Sequence, residues 1–198
     1  MAISKILTKI LFLVDFTFAI FVIWQTDYLI NFIAKYHKVN KYMKILICVA
    51  TCLVVGYYSG QATQTSVNTW FPTLVKPFFN PPNWVFMPVW TILYIIMGIS
   101  AGLVWDKYES DKYEVRNALV MFAAQLLLNM LWSILFFALQ NPMLAMLEIV
   151  VLLLVIYETH YKFKHISKTA GNLLVPYMIW VGFAMVLNIS IWYLNREI

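Results

Sequence analysis

Charged side chains are scarce in this sequence: Asp, Glu, Lys and Arg make up 12% of its 198 residues, whereas hydrophobic residues make up 63%. A soluble domain has about 25% charged residues, so this composition excludes an ordinary soluble globular protein. Three stretches lack charge altogether and have the roughly 20 apolar residues that a helix needs to cross a bilayer. They are residues 84–105, 117–139 and 171–194.

Two further stretches, 45–62 and 143–161, come close to the same pattern. The first is uncharged but slightly short, and Lys44 at its edge can extend its ammonium toward the membrane surface. The second contains Glu148, which a bilayer tolerates when the acid turns inward, either as a proton site or as a buried structural carboxyl. The sequence therefore predicts an all-α integral membrane protein, a bundle of five spanning helices in a domain of residues 41–198.

The cations are sorted between alternate loops and are not gathered in one patch. One side carries most of them, and the other carries Lys76 and Arg196. Cytoplasmic loops hold the excess of Lys and Arg, so the long loop after the first span and the C-terminus are predicted to face away from the cytoplasm. A net charge of +5 without a patch does not indicate a nucleic-acid partner. The cations of the richer side are Lys35, Lys38, Lys41, Lys44, Lys107, Lys112, Arg116, Lys162, Lys164 and Lys168.

The first forty residues form an N-terminal extension, 1–40, with an additional hydrophobic helix within residues 10–34. A sixth span there would contain Asp15 and Asp27. An amphipathic helix lying in the membrane interface accommodates such acids on its polar face. The sequence leaves the membrane-embedded and the interfacial helix open as alternatives.

Residues for metal or nucleophilic chemistry are few and badly placed for it. His37, His160 and His165 lie in the lysine-rich loops, which excludes an axial histidine inside the bundle. Cys48 and Cys52 are spaced C-x-x-x-C within the first span, and we expect small apolar packing residues there instead of a redox or zinc site. No G-x-S-x-G, phosphate loop or H-E-x-x-H is present. We therefore expect no metal site and no required cofactor.

Three spans carry a face of aromatic and amide side chains at helical spacing. Polar groups inside a bilayer usually turn toward the bundle interior. Such faces suit a pocket for a large, flat and mostly apolar ligand, but helix packing alone gives the same spacing. The faces are Trp90, Tyr94, Met97 and Ala101 in the second span, Gln125, Asn129, Trp132 and Phe136 in the third, and Tyr177, Trp180, Ala184, Leu187, Asn188 and Ile191 in the fifth.

Two G-x-x-x-G pairs, Gly56 with Gly60 and Gly98 with Gly102, permit close helix approach. We expect this approach within the bundle, and a homodimer face is the alternative. Aromatic residues at span ends are expected to anchor the helices at the membrane interfaces. These are Trp105, Trp192 and Tyr193.

The long connection, residues 63–83, contains four prolines between Pro72 and Pro82. Proline fixes φ near −65° and removes a backbone donor, so this segment is predicted to be a stiff loop that covers one end of the bundle. Lys76 lies within it. We expect its ammonium to point to water, with a ligand carboxylate as the alternative partner.

Three segments carry a resemblance to a known family. They read "W-F-x-x-L-x-K-P-x-x-N-P-P-x-W-V-F-x-P-V-W-T-x-L-Y" from Trp70, "A-A-Q-L-x-x-N-x-x-W-x-x-x-F-F" from Ala123 and "L-L-V-P-Y-x-x-W-x-x-F-A-x-x-L-N" from Leu173. In this order and spacing they resemble the tryptophan-rich sensory protein/translocator protein (TspO/MBR) family. The likeness covers about residues 45–195.

The resemblance implies a membrane receptor or sensor whose pocket, capped by the first loop, binds tetrapyrroles such as protoporphyrin IX and regulates their level or transport. Light-dependent porphyrin degradation at Trp90 and Trp180 and transport of a lipid or cholesterol-like sterol are the alternatives. The inward faces add Tyr94 and Gln125 to the pocket residues that the resemblance implies. The latter are Trp70, Pro82, Trp90, Asn129, Trp132, Trp180 and Ala184.

The sequence departs from the family pattern at two places. Phe78 and Phe79 stand where many members have at least one Trp, so the contact of the loop with a ligand is expected to differ. Ile189 replaces a Tyr of the eukaryotic cholesterol motif, which weakens the case for steroid handling. We expect a bacterial envelope membrane as the location, with the mitochondrial outer membrane as the alternative.

Overall fold

The computed structural model describes residues 38–196 together with Phe32, Lys35 and Tyr36. The expected helix within residues 10–34 falls, apart from Phe32, on residues outside this described part. Within it the chain is helical and contains no strand. The helices are α1 (Lys41–Asn68), α2 (Asn83–Trp105), α3 (Lys112–Ser133) with a π-helical turn at Ile134–Ala138, α4 (Pro142–Ile166), the short α5 (Lys168–Leu173) and α6 (Val175–Asn195).

Five helical segments of the described chain are long and apolar enough to cross a membrane, with α5 and α6 together forming the fifth. The predicted five-span integral membrane protein is thus confirmed. The end of the bundle that holds the α1–α2 connection is called the lid end below, and the opposite end, where Lys107, Lys112 and Lys168 lie, is called the lysine-rich end. The predicted inward faces of the second, third and fifth spans all contribute buried residues to the bundle.

Short polar caps start three of the helices. The side chains of Asp111, Asn141 and Ser167 accept hydrogen bonds from backbone N–H groups in the first turns of α3, α4 and α5. Such caps satisfy N–H groups that have no partner inside the helix. Between α3 and α4 the chain reverses within three residues, and Gln140 takes a positive φ of 51° there. The connections between α3 and α4 and between α4 and α5 are short, so these consecutive spans are antiparallel neighbours.

Helices α1 and α2 approach most closely at glycines of α2. A Cβ on Gly98 would lie 2.7 Å from the Val49 backbone nitrogen, and one on Gly102 would lie 2.5 Å from the Ile45 Cα. Real Cβ atoms do not come so close to another backbone, so only glycine fits. The predicted use of this G-x-x-x-G pair for packing inside the bundle is confirmed.

Two residues at the lysine-rich end differ from expectation. Lys44 is only 5% exposed, and its Nζ pairs with Asp106 Oδ1 at 3.3 Å instead of extending alone to the membrane surface. Trp105 is 2% exposed, so its predicted role as an interfacial anchor is wrong. Both side chains lie between helices because the tight α1–α2 contact leaves the end of α2 covered. Tyr193, by contrast, is exposed as predicted.

The first helix is longer than its apolar stretch indicates. It continues to Asn68 through the polar sequence QATQTSVN, so the connection shrinks to residues 69–82. We call this segment the lid. At 1.5 Å per residue, the 28 residues of α1 exceed a hydrocarbon core about 30 Å thick. The last turns of α1 therefore extend toward the polar side of the membrane boundary.

Candidate functional site

The lid is fastened to the bundle by aromatic contacts. Phe71, in a 3-10 turn with Pro72, is 5% exposed, and its ring centroid lies 6.3 Å from that of Phe136 and 5.8 Å from that of Phe137. Trp70 packs edge to face on Phe136 at 5.7 Å. Such edge contacts are favourable for aromatic pairs. The lid thus closes one end of the bundle with apolar surface.

The π-helical turn at the end of α3 carries the two phenylalanines that contact the lid. Its i to i+5 pattern is seen in the 2.8 Å bond from the Leu139 N–H to the Ile134 carbonyl, and Phe136 and Phe137 both line the cavity. Ser66 of α1 donates its hydroxyl to the Phe137 carbonyl at 2.6 Å. Such turns are frequent at functional sites.

Lys76 is bound within the lid, contrary to the expectation that it points to water. Its Nζ donates to the carbonyls of Leu74 at 3.0 Å and Pro72 at 3.3 Å, and it lies 4.9 Å from the centroid of Phe71. The proline-rich loop presents these carbonyls because proline leaves them without helical partners. The ammonium therefore stabilises the lid's own fold.

Asn195 at the end of α6 holds the middle of the lid. Its Oδ1 accepts from the Val75 N–H and its Nδ2 donates to the Val75 carbonyl, both at 2.9 Å. The Asn195 carboxamide therefore bonds both backbone groups of Val75, as a neighbouring strand does in a β-sheet. It links the lid to the fifth span across 120 residues of sequence.

Asn195→Ala should loosen the lid without unfolding the bundle. Two hydrogen bonds of about 1 kcal/mol each are lost, so local opening should rise by roughly tenfold or more. Hydrogen exchange at the Val75 amide measures this directly. Ser190→Ala, which removes only a local bond to the Val186 carbonyl, should leave that exchange rate unchanged. Equal rates in Asn195→Ala and the wild type would show that the contact does not hold the lid.

Beneath the lid lies a cavity of about 620 Å³ between α1, α2, the α3 π-turn and α6. Ligand pockets commonly measure about 300–1,000 Å³, so this one suits a sizeable small molecule. Among the described residues, its lining contains no Asp, Glu, Lys, Arg or His. The aromatic members of the lining are Tyr57, Phe71, Phe86, Trp90, Tyr94, Trp132, Phe136, Phe137, Trp180 and Phe183.

The structure brings together six of the nine predicted site residues in this lining. These are Trp90, Tyr94, Asn129, Trp132, Trp180 and Ala184.

The other three predicted residues lie outside the lining. Trp70 supports it indirectly by packing on Phe136. Pro82 is exposed and precedes the first turn of α2. Gln125 is fully buried one turn beyond Asn129, and its amide has no hydrogen-bond partner in the described part of the chain.

Hydrogen bonds fix the polar groups around the cavity. Asn129 Nδ2 donates to the Tyr94 hydroxyl oxygen at 2.7 Å, and Trp132 Nε1 donates to Asn188 Oδ1 at 3.1 Å. The Asn188 amide in turn donates to the Pro142 carbonyl at 2.9 Å. Satisfied polar networks of this kind keep a buried wall in one conformation. The cavity therefore has a rigid shape before any ligand binds.

Trp180 contributes its indole ring to the cavity lining. Its Nε1 is buried and has no hydrogen-bond partner among the described residues. The ring packs against Phe86 at 6.1 Å and Phe183 at 5.5 Å, which fixes its position.

The lid contributes Phe79 to this aromatic group, whereas Phe78 is fully exposed. The Phe79 ring lies 6.4 Å from Phe183, so one of the two phenylalanines at the departure from the family pattern continues the aromatic wall. Phe78 is 100% exposed and points away from the lid's contacts.

Glu148, His160 and His165 lie outside the cavity lining. Glu148 is 8% exposed, and neither carboxyl oxygen has a hydrogen-bond partner within the described part. His160 contacts the Gly171 carbonyl at 2.9 Å. The described residues include no group of three or more metal-ligating side chains.

The fold and this cavity define an integral membrane bundle of five spanning helices with an uncharged, aromatic cavity under a proline-rich lid. Residues 48–194 match the model of the TspO/MBR family. The chain belongs to the TspO/MBR family.

Similar proteins come from distant organisms. The tryptophan-rich protein TspO of Chlorobaculum tepidum is 42% identical over 157 residues, covering 77% of this chain and 96% of that protein. That of Archaeoglobus fulgidus is 40% identical over 153 residues, with 77% and 97% coverage. The translocator protein of Bos taurus is 30% identical over 141 residues, with 71% and 83% coverage. The likeness therefore covers nearly the whole length of the first two relatives.

The residues of α1 that line the cavity were missed in the sequence. Ten of the lining positions lie between Leu53 and Asn68, where small and polar residues give no aromatic stripe. The signal at these positions is the polar run after Gly60, most of which falls in the predicted connection, residues 63–83.

Proposed function

We propose that this protein is a membrane receptor that binds a flat, mostly apolar tetrapyrrole such as protoporphyrin IX in the cavity, and so regulates its level or transport. The observation that carries the proposal is the presence of three tryptophans, Trp90, Trp132 and Trp180, in the lining of one cavity of about 620 Å³ whose described lining residues carry no charge. Flat aromatic walls favour stacking with a planar ring system.

Further features support a binding role. The amide network around Trp132 and Tyr94 preorganises the walls, which lowers the entropy cost of binding. Light-dependent breakdown at Trp90 and Trp180, which the family resemblance implies, stays a prediction.

The proposal also covers the membrane and its sides. We place the protein in a bacterial envelope membrane with the lid and C-terminus away from the cytoplasm. The lysines at the opposite end, including Lys107, Lys112 and Lys168, support this orientation because positive loops are retained in the cytoplasm.

Protoporphyrin IX should quench the protein's Trp fluorescence with a saturable curve. Trp90→Phe combined with Trp180→Phe should weaken the affinity by about tenfold, since two ring contacts worth about 1 kcal/mol each are reduced. The measurement is the dissociation constant from the titration in detergent or lipid nanodiscs.

Trp192→Phe serves as the matched control. Trp192 belongs to the same helix as Trp180 but does not line the cavity, so its replacement should leave the dissociation constant unchanged. Unsaturable quenching of the wild type, or equal affinities for the cavity double variant and Trp192→Phe, would contradict the proposal.

A further inference from the structure

The cavity is open on one side, between α1 and α2. Toward the lysine-rich end the glycines of α2 bring the two helices into contact, but toward the lid end both helices line the cavity. Lining residues there are exposed, including Tyr57 in α1 and Met87 and Thr91 in α2. An exposed lining residue on each helix means that the cavity reaches the surface between them.

Four carboxamides surround this opening. Gln61, Gln64 and Asn68 lie at i, i+3 and i+7 on α1, which is one face of a helix, and Asn83 begins α2 opposite them. All four are exposed and all four line the cavity. We call this group the amide mouth. Each carboxamide presents two N–H donors and a carbonyl acceptor.

The amide mouth lies where the membrane boundary is expected. Gln61 ends the apolar part of α1, and the polar turns that follow carry Gln64 and Asn68. A charged ligand group placed at the mouth can keep part of its hydration, whereas the same group placed deeper would meet only the uncharged cavity lining. Burying an unpaired charge in an apolar site is costly.

No acid of the lid opposes an anion at the mouth. The lid contains Lys76 and no Asp or Glu, and the three-residue turn between α3 and α4 contains no charged residue; Arg196 after α6 is followed by Glu197. A carboxylate at the mouth would accept hydrogen bonds from the amide N–H groups, and hydrogen bonds to a charged acceptor are the stronger ones.

We propose that the amide mouth is the subsite for a carboxylate group at one edge of the ligand, while the flat apolar part lies between the tryptophans. The inference rests on the proposed function, because it assigns an orientation to the same ligand. It adds a specificity: the protein should distinguish a tetrapyrrole acid from its neutral ester, although both have the same ring system.

Protoporphyrin IX and its dimethyl ester test this with a single difference at the carboxyl groups. The wild type should bind the acid more tightly than the ester. Gln61→Leu combined with Gln64→Leu should weaken binding of the acid by about tenfold, as expected for lost hydrogen bonds to a charged group, and leave the ester affinity unchanged. Asn172→Leu, an exposed amide on α5, should change neither affinity.

Two substitutions of opposite charge at the same position distinguish an effect on binding from a folding defect. Gln64→Glu should weaken binding of the acid, and Gln64→Lys should strengthen it, whereas the ester should respond to neither. Equal changes for acid and ester in these variants would overturn the amide mouth but leave the cavity proposal intact. Failure of the wild type to bind either compound would overturn the proposed function and this inference with it.

Discussion

Gly98→Ala is expected to destabilise the bundle by at least about 2 kcal/mol, although it adds a single methyl group, because a core without free space responds to overpacking with strain of this order. The new Cβ would lie 2.7 Å from the Val49 backbone nitrogen. A backbone atom cannot move aside as the end of a flexible side chain can. Helices α1 and α2 would have to separate along their contact.

The measurement is the midpoint of thermal unfolding in detergent, followed by intrinsic fluorescence, with Gly182→Ala as the control. Gly182 is also within a spanning helix, but a Cβ there would meet no atom within 4 Å. Its replacement should be neutral or slightly stabilising, since Ala exceeds Gly in helix propensity by about 1 kcal/mol. A Gly98→Ala midpoint equal to that of Gly182→Ala would show that the helices do not meet as described.

Gly60→Leu should have the opposite effect: the protein should keep its fold but lose ligand binding. Gly60 lines the cavity, and a Cβ there meets nothing within 4 Å. A leucine side chain would project into the space needed by a planar ring and should weaken protoporphyrin binding by tenfold or more, which is about 1.4 kcal/mol or more of binding free energy. Helix α1 should be slightly more stable, because glycine is a poor helix former.

The matched control for this substitution is Gly182→Leu, which adds the same side chain at a position outside the cavity lining. Both variants should unfold at or above the wild-type temperature. Only Gly60→Leu should raise the dissociation constant. Wild-type affinity in Gly60→Leu would place the ligand elsewhere.

The five spans could be predicted because long stretches without charge are visible in the sequence itself. Uncharged stretches of sufficient length have few alternatives to a membrane helix. The inward faces could be predicted from helical spacing in the same way, and Trp90, Asn129 and Trp180 on these faces all line the cavity. Helical spacing determines which side of a single helix carries these residues, and helix packing then brings the sides of different helices together.

The rest depends on contacts between distant segments, which no local pattern contains. The π-turn that carries Phe136 and Phe137 is accompanied by a hydrogen bond from Ser66, distant in sequence. Trp105 lies at a span end, as an interfacial anchor would, but packing between helices buries it. The sequence predicts that Lys76 is solvated, but in the structure its ammonium donates to two carbonyls of the lid.

The amide mouth could not be predicted from the sequence for a related reason. Gln61 ends the apolar part of α1, whereas Gln64 falls in the connection of residues 63–83 that the sequence predicts as a loop. The segment is nevertheless helical, because Gln is a good helix former and tertiary contacts such as the bond from Ser66 extend the helix. Polarity here marks the edge of the membrane and the opening of the cavity.

The most direct measurement is the binding stoichiometry of protoporphyrin IX to the wild type in lipid nanodiscs, followed by absorbance of the porphyrin and compared with Gly60→Leu. We predict saturation at about one porphyrin per chain for the wild type, as one cavity of this size implies, and no saturable binding for Gly60→Leu in the same concentration range. Porphyrin uptake that rises without saturation, and to the same extent in both proteins and in empty nanodiscs, would contradict a ligand site in this cavity.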